Sequence, residues 1–365
     1  MKMVEHVPEY IRTLIPYEPG KPIEEVEREY GIANSIKLAS NENPLGPSPK
    51  ALAAIRAKLD QLHLYPDGDC FYLRRGVAQK LGVAPENLIF GNGSNEIIEL
   101  AVRTLMRPGD EAVMAEQAFV VYPLIVQAVG GKKKIVPLRN FTHDLAAIGA
   151  ALTPATRVVF LANPNNPTGT IFRRDEWERF LGKVSRELLV VVDEAYFEYV
   201  QDAAYPDSLG YHAEDRAVLT LRTFSKLYGL AGLRIGYGVG PKQLIEMMHR
   251  VRQPFNVNAA AQWAALAALE DSDHVERSLK VNRDGIEYLQ AEFARLKLDF
   301  VPSQANFILV RVGKGQEVFK QLLNQGVIVR PMGDYQFPEH VRVTVGTMEE
   351  NRIFVDALEK VIKGL

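Results

Sequence analysis

The stretch Leu188-Leu189-Val190-Val191-Val192-Asp193-Glu194-Ala195-Tyr196 decides how this chain folds. Positions 188 to 192 are all aliphatic, so a strand here has no polar face to turn to water. Such continuous runs belong to parallel strands covered on both sides by helices. The run then stops abruptly on an acid, Asp193, where a strand would hand over to a loop.

Working outward, similar short strands read at Thr156–Ala162 before it and Ala217–Arg222 after it. Farther out lie Asn87–Phe90, Glu111–Ala115 and Ile235–Val239. Helical stretches separate them: one from the glycine loop at Gly91 to about Met106, one beginning at Tyr122, and one over Asp175–Ser185. Strands alternating with helices predict an α/β unit, a mostly parallel sheet with helices on both faces. Upstream, Ile15-Pro16-Tyr17-Glu18-Pro19-Gly20-Lys21-Pro22 reads as an extended arm, because each proline disfavours helix in the residue before it. A short helix over Ile23–Tyr30, a rigid polar loop over Leu38–Pro47, and helices over Pro49–Leu59 and up to Leu81 follow. Beyond Gly240 the texture changes. Helices read over Lys242–Val251, Ala259–Glu270 and Asp273–Leu296, then strands over Phe307–Val310, Val327–Arg330 and Val341–Val345, then a helix over Glu349–Ile362. The expected division is an N-terminal arm (1–40) packing with a small C-terminal α+β domain (271–365), and a large domain between them (41–270).

Composition narrows the function. The 365 residues are 47% apolar and 24% charged, ordinary for a globular enzyme with a sizeable core. A net charge of -2 gives no electrostatic reason to expect nucleic acid or an anionic membrane. No run reaches the ~18 apolar residues of a membrane span. One cysteine, Cys70, excludes an internal disulfide and fits a reducing cytoplasm. The seven histidines are scattered, and no zinc or other metal site is expected.

In an open α/β sheet, ligands bind outside the carboxyl ends of the strands. Four polar groups fall there. Gly91-Asn92-Gly93-Ser94-Asn95-Glu96 joins a strand to a helix; its backbone N–H groups suit a phosphate, or it is a tight turn. Asn163-Pro164-Asn165-Asn166-Pro167-Thr168-Gly169 is fixed by prolines, either as a rigid turn or to hold the Asn166 amide as a donor. Asp193 ends its buried strand as a helix cap or as the partner of a buried cation. Thr223-Phe224-Ser225-Lys226-Leu227-Tyr228-Gly229-Leu230-Ala231-Gly232-Leu233-Arg234 sets one lysine in an apolar run and an arginine eight residues on. Burial and a neighbouring cation lower a lysine's pKa, which lets its amine condense with an aldehyde. Alone, Lys226 also reads as a surface lysine at a strand end. Together the four match the needs of pyridoxal 5'-phosphate: a lysine for its aldehyde, Asp193 for its ring nitrogen, Asn166 and Tyr196 for its ring oxygen, and Ser225 with Arg234 for its phosphate.

With LASNENPLGPSP, GNGSNE, NPNNPTG, DEAYFEY, TFSKLYGLAGLRIGY, QPFNVN, GVIVRPM and VRVTVGT in place, the chain resembles the histidinol-phosphate aminotransferase family over essentially its whole length. These are fold-type-I pyridoxal phosphate enzymes. The resemblance implies a seven-stranded, mostly parallel sheet between helices plus a smaller α+β domain. It implies Lys226, Asp193 and Tyr196 as catalytic residues, with Ser94, Asn95, Asn166, Ser225 and Arg234 also holding the cofactor. Phe119 falls where the family stacks an aromatic, often tyrosine, on the ring; read alone it is a core residue. Asn95 stands where an aspartate is common. Tyr65, by itself a turn aromatic, matches a tyrosine that reaches the neighbouring subunit's phosphate, which implies a homodimer with shared sites. Arg342, by itself a solvated strand arginine, matches the clamp for the substrate's end group. Arg330 and Tyr17 match positions near the substrate's distal group, and Asn43 belongs to the loop at the entrance. The implied reaction is transamination between histidinol phosphate and 2-oxoglutarate in histidine biosynthesis. Aromatic amino-acid transamination uses nearly the same residues, and a decarboxylase of this fold shares the lysine, aspartate and arginine.

Overall fold

The computed structural model describes residues 2–17, 22–32, 34–212 and 216–364. Among these described residues the strands are β1 (Ile36–Lys37), β2 (Leu88–Gly91), β3 (Glu111–Ala115), β4 (Lys132–Val136), β5 (Thr156–Ala162), β6 (Leu189–Asp193), β7 (Val218–Thr223), β8 (Gly236–Val239), β9 (Phe300–Val301), β10 (Phe307–Arg311), β11 (Val327–Ile328), β12 (Arg330–Pro331) and β13 (His340–Thr344). Seven form the main sheet in the order β2-β8-β7-β6-β5-β3-β4. All its neighbours run parallel except where β8 meets β7 and β2.

The aliphatic run sits at the centre of this sheet, as its sequence requires. Its side chains alternate between two cores. Leu189 and Val191 join Ile97, Tyr122, Phe160 and Leu219 on one face, while Val190 and Val192 join Trp177, Phe180 and Val159 on the other. Each such side chain fully removed from water contributes about 1.5–3 kcal/mol, and both faces are dry. The same alternation puts Asp193 on the face of Tyr122. Asp193, Thr223 and Ser94 all fall at the ends of β6, β7 and the turn after β2, so the cavity opens along one edge of the sheet.

The seventh strand, β4, is absent from the sequence reading. Lys132-Lys133-Lys134-Ile135-Val136 is an edge strand with lysines turned outward, a common guard against edge-to-edge pairing that also hides the strand pattern. The expected single strand over Val327–Arg330 divides in two. Val327 and Ile328 pair in parallel with β1, whereas Arg330 and Pro331 pair antiparallel with β13. The four-stranded sheet β12-β13-β10-β9 packs through Ile308, Val341 and Val343 against Leu289 and Phe293 of the helix Ser272–Arg295 and Phe354 of the helix Met348–Gly364.

The N-terminal arm lies beside two of the three sheets, the main one and the two-stranded β1-β11. Val26, in the helix Ile23–Tyr30, is buried with Leu323 and Ile328 beside the smaller sheet. The first segment is different: it lies on the main-sheet side, where the Gln127 amide donates to the Tyr10 carbonyl at 3.0 Å. Residues of the arm thus touch the helix Val121–Ala128 as well as the smaller domain's elements. Gln127, on the helix Val121–Ala128, offers a donor that the arm's turn needs. Positions 18–21 of the proline-rich stretch lie outside the described residues.

Candidate active site

A cavity of about 420 Å³ opens beside the strand ends. Its walls include Lys226, Asp193, Tyr196, Asn166, Ser94, Asn95, Ser225, Arg234, Phe119, Arg342, Arg330 and Tyr17. Residues from 17 to 342 thus meet in one place, and each had been singled out in the sequence.

Lys226 lies just past β7. Its Nζ donates to the Ser40 carbonyl at 3.2 Å and sits 5.7 Å from the centre of the Tyr196 ring. Burial first, then the nearby Arg342 and Arg234 cations, bring its pKa down to about 8, against the opposing pull of Glu42 and Asp193. The amine is therefore available at neutral to mildly basic pH. Asp193, at the end of β6, is buried; its Oδ2 accepts from the Tyr122 hydroxyl at 2.8 Å and its Oδ1 from the Ala195 N–H at 3.2 Å. Burial raises its pKa, and the Tyr122 bond, the Ala195 N–H and the Lys226 charge oppose that rise.

The phosphate end is built around Gly93. The helix Ser94–Leu105 starts here with no side-chain cap among the described residues, and Gly93, Ser94 and Asn95 at the positive end of its dipole line the cavity. Gly93 is at φ +79°, and a Cβ on it would lie 2.6 Å from Arg234 Nη2. Only a glycine lets the guanidinium lie along this turn. Arg234 itself adopts φ +57°, which turns its side chain back toward the loop. A Cβ on Gly236 would come within 2.6 Å of the Ser94 nitrogen, so the strand beneath is also cut close. The result is a small, cationic, donor-rich cradle at one end of the cavity and a carboxylate at the other. A phosphorylated pyridine with a lysine-reactive aldehyde fits this pattern.

Arg342 reaches in from β13. Its Nη2 donates to the Ala39 carbonyl at 2.7 Å and its Nη1 to the Asn166 side-chain oxygen, while its Nε has no partner among the described residues. A buried arginine in the wall of a cavity suits an anionic or polar ligand group. Tyr196 accepts from the Asn41 amide at 2.9 Å. Arg330 stands 5.8 Å over the Tyr17 ring at the rim.

Two sequence candidates are placed elsewhere. Asn43 is not in the wall. Its amide donates to the Leu227 carbonyl (2.7 Å) and Ser278 Oγ (2.9 Å), anchoring the loop from behind, while its neighbours Ser40, Asn41 and Glu42 face the cavity. The tight turn closed by Gly46 N–H and the Asn43 carbonyl rotates Asn43 inward. Tyr65 is 84% exposed, stacked on Phe255 at 5.0 Å, and does not line this chain's own cavity. Conversely, Tyr122, Asn41, Glu42 and Tyr335 line the site without having been singled out. The spacing of Phe119 and Tyr122, three apart at the start of a helix, was the available signal for Tyr122.

A family model for class I and II aminotransferases matches residues 33–358. A histidinol-phosphate aminotransferase of Moorella thermoacetica is 52% identical over 97% of this chain and 92% of its own length. The chain belongs to the histidinol-phosphate aminotransferase family. Another relative of that name, from Methylobacillus flagellatus, is 49% identical over 99% of both chains. The solved histidinol-phosphate aminotransferase of Sinorhizobium meliloti, in complex with pyridoxal-5'-phosphate, superposes with a TM-score of 0.91 at 27% identity, covering 98% of each chain. This aminotransferase accordingly has the fold-type-I architecture and is a pyridoxal phosphate-dependent transaminase.

Proposed function

We propose that this aminotransferase exchanges an amino group between histidinol phosphate and 2-oxoglutarate, in the cytoplasm, as a step of histidine biosynthesis. The observation that carries the reading is that Lys226, Asp193 and Arg234 line a single cavity with the Gly93 cradle at one end. Ser94, Asn95, Ser225 and Arg234 would hold the cofactor's phosphate. Asp193 would face its ring nitrogen, Asn166 and Tyr196 its ring oxygen, and Phe119 its face. Bound there, pyridoxal phosphate supplies an electron sink for the charge that develops at the substrate's alpha carbon.

The chain's own groups do the rest. Lys226 Nζ takes the proton from that alpha carbon and hands it on, a role suited to an amine with a pKa of about 8. Arg342 orients the substrate's end group through its fork. Arg330 and Tyr17, at the rim, are placed to receive a distal phosphate, whose charge a guanidinium matches well. Substrate orientation of this kind can lower a barrier by several kcal/mol.

Tyr65 would serve the site of a second copy. It is exposed on its own chain, stacked on the half-exposed Phe255, and Leu62, Leu64, Phe71 and Tyr72 nearby in sequence are exposed too; exposed apolar side chains of this kind support an interface.

The experiment is a single-turnover panel. The visible absorbance of the bound cofactor is followed on adding histidinol phosphate, glutamate, phenylalanine or tyrosine in turn. Histidinol phosphate and glutamate should bleach it with kcat/KM at least tenfold above the aromatic amino acids. A preference for phenylalanine would replace the substrate with an aromatic one. Release of carbon dioxide would replace transamination with decarboxylation.

A further inference from the structure

Tyr122 contributes nothing to the reaction as read so far, yet among the described residues it is the one side chain that donates a hydrogen bond to Asp193. It is 0% exposed, stacked face to face on Phe160 (4.8 Å, 7°) and edge-on to Phe119 (5.7 Å, 85°). Its ring is therefore fixed by packing from two sides, and its hydroxyl has a single direction, toward Asp193 Oδ2 at 2.8 Å. The second oxygen, Oδ1, is held by the Ala195 N–H at 3.2 Å. Both oxygens thus have a donor from the protein, and the plane of the carboxyl group is set by the two together.

We infer that Tyr122 is the positioning residue of Asp193: it keeps that carboxylate charged and correctly turned, so that Asp193 can grip a protonated ring nitrogen. This deepens the proposed cofactor role of Asp193 and rests on it. The chemistry is that of a charge-assisted bond. A phenol donating to a carboxylate favours the ionised form, against the burial that favours the neutral one. The directions agree: the Tyr122 bond opposes the burial-driven rise at Asp193, while burial and the same aspartate hold the Tyr122 phenol well above its ordinary range, so it remains a donor at any working pH. The group most affected lies one bond further on. Without the phenol, Asp193 is more readily protonated, and a neutral acid no longer stabilises a cationic pyridine.

Phe119 and Tyr122 also link two parts of the site. The ring proposed to stack on the cofactor leans on the ring that orients its acid, so one aromatic pair at the start of the helix Val121–Ala128 serves both faces of the binding problem.

The test uses pyridoxamine 5'-phosphate, which carries the ring nitrogen and the phosphate but no aldehyde, so Lys226 adds no covalent contribution. Its dissociation constant is measured by calorimetry on the cofactor-free full chain, for wild type, Tyr122→Phe, Asp193→Asn and the double variant. Tyr122→Phe keeps the stacked ring and should keep the melting temperature. Its affinity should fall about 10–100-fold, the range of a hydrogen bond to a charged group. In the Asp193→Asn background the same change should cost less than about 3-fold, because the charge it acts on is gone. A loss below about 5-fold in the wild-type background, or an equal loss in both backgrounds, overturns the inference. Failure of wild type to bind the probe at all would instead overturn the cofactor role assigned to Asp193.

Discussion

Gly93→Ala should remove the cofactor's phosphate grip while leaving the fold standing. The new methyl would lie 2.6 Å from Arg234 Nη2 and 3.3 Å from its Cζ, well inside contact distance, so the guanidinium must leave the turn. A charged hydrogen bond of the guanidinium–phosphate kind is worth about 1.5–3 kcal/mol, or roughly 10–100-fold in affinity. The methyl also carries a backbone cost, because Gly93 is at φ +79° and ψ 168°, a region held almost only by glycine, where an L residue loses about 1–3 kcal/mol. Gly82 separates the two effects. It is at φ +67° after the helix Phe71–Leu81, and a Cβ there meets nothing within 4 Å. Gly82→Ala, in the milder left-handed helical region, should therefore lower the melting temperature by a few degrees, no more than Gly93→Ala does, with no change at the site. The assay is titration of each cofactor-free variant with pyridoxal 5'-phosphate, followed at the visible band, alongside thermal melting. If Gly93→Ala binds within about 3-fold of Gly82→Ala, Arg234 does not hold the phosphate from that turn.

The rate at which the cofactor-free protein takes up pyridoxal phosphate should rise with pH and level off above about 8, where Lys226 becomes neutral. An ordinary lysine would be only about 0.3% neutral at that pH, and a rate still climbing tenfold per unit to pH 10 would contradict the assignment. Because the folded pKa is depressed, the unfolded chain binds the extra proton between about 8 and 10.5; this lysine's penalty on cofactor-free stability is full below that window and is relieved as pH rises through it. Sedimentation should give twice the 40.8 kDa chain mass, and Tyr65→Ala should weaken cofactor retention without altering Lys226; a wild-type monomer that turns over normally would remove the shared-site reading.

Much of the site could be read from the sequence because its residues stand at strand ends that announce themselves. The aliphatic run before Asp193 and the apolar frame around Lys226 are local patterns, and local patterns survive in one dimension. What was lost is of two kinds. Edge strands such as Lys132–Val136 are disguised by the very charges that protect them. Long-range hydrogen bonds leave no periodicity either. Nothing near Tyr122 in the chain points to an acid 71 positions away, and nothing near Asn43 shows that it faces Leu227 rather than the entrance.

The loop after β1 has a consequence for how the enzyme is made. Asn41 receives the Thr344 hydroxyl at its side-chain oxygen and gives its own N–H to that hydroxyl, a closure spanning 303 residues. Ribosomes add about 5–20 residues per second, so roughly 15–60 s separate the birth of the two partners. For the last 118 of those residues, roughly 6–24 s, the nascent chain contains the lysine and its acid yet lacks one wall. Vitamin capture is thereby tied to synthesis of the segment that carries Thr344, and a chain stopped short of it would carry the nucleophile in an open trough.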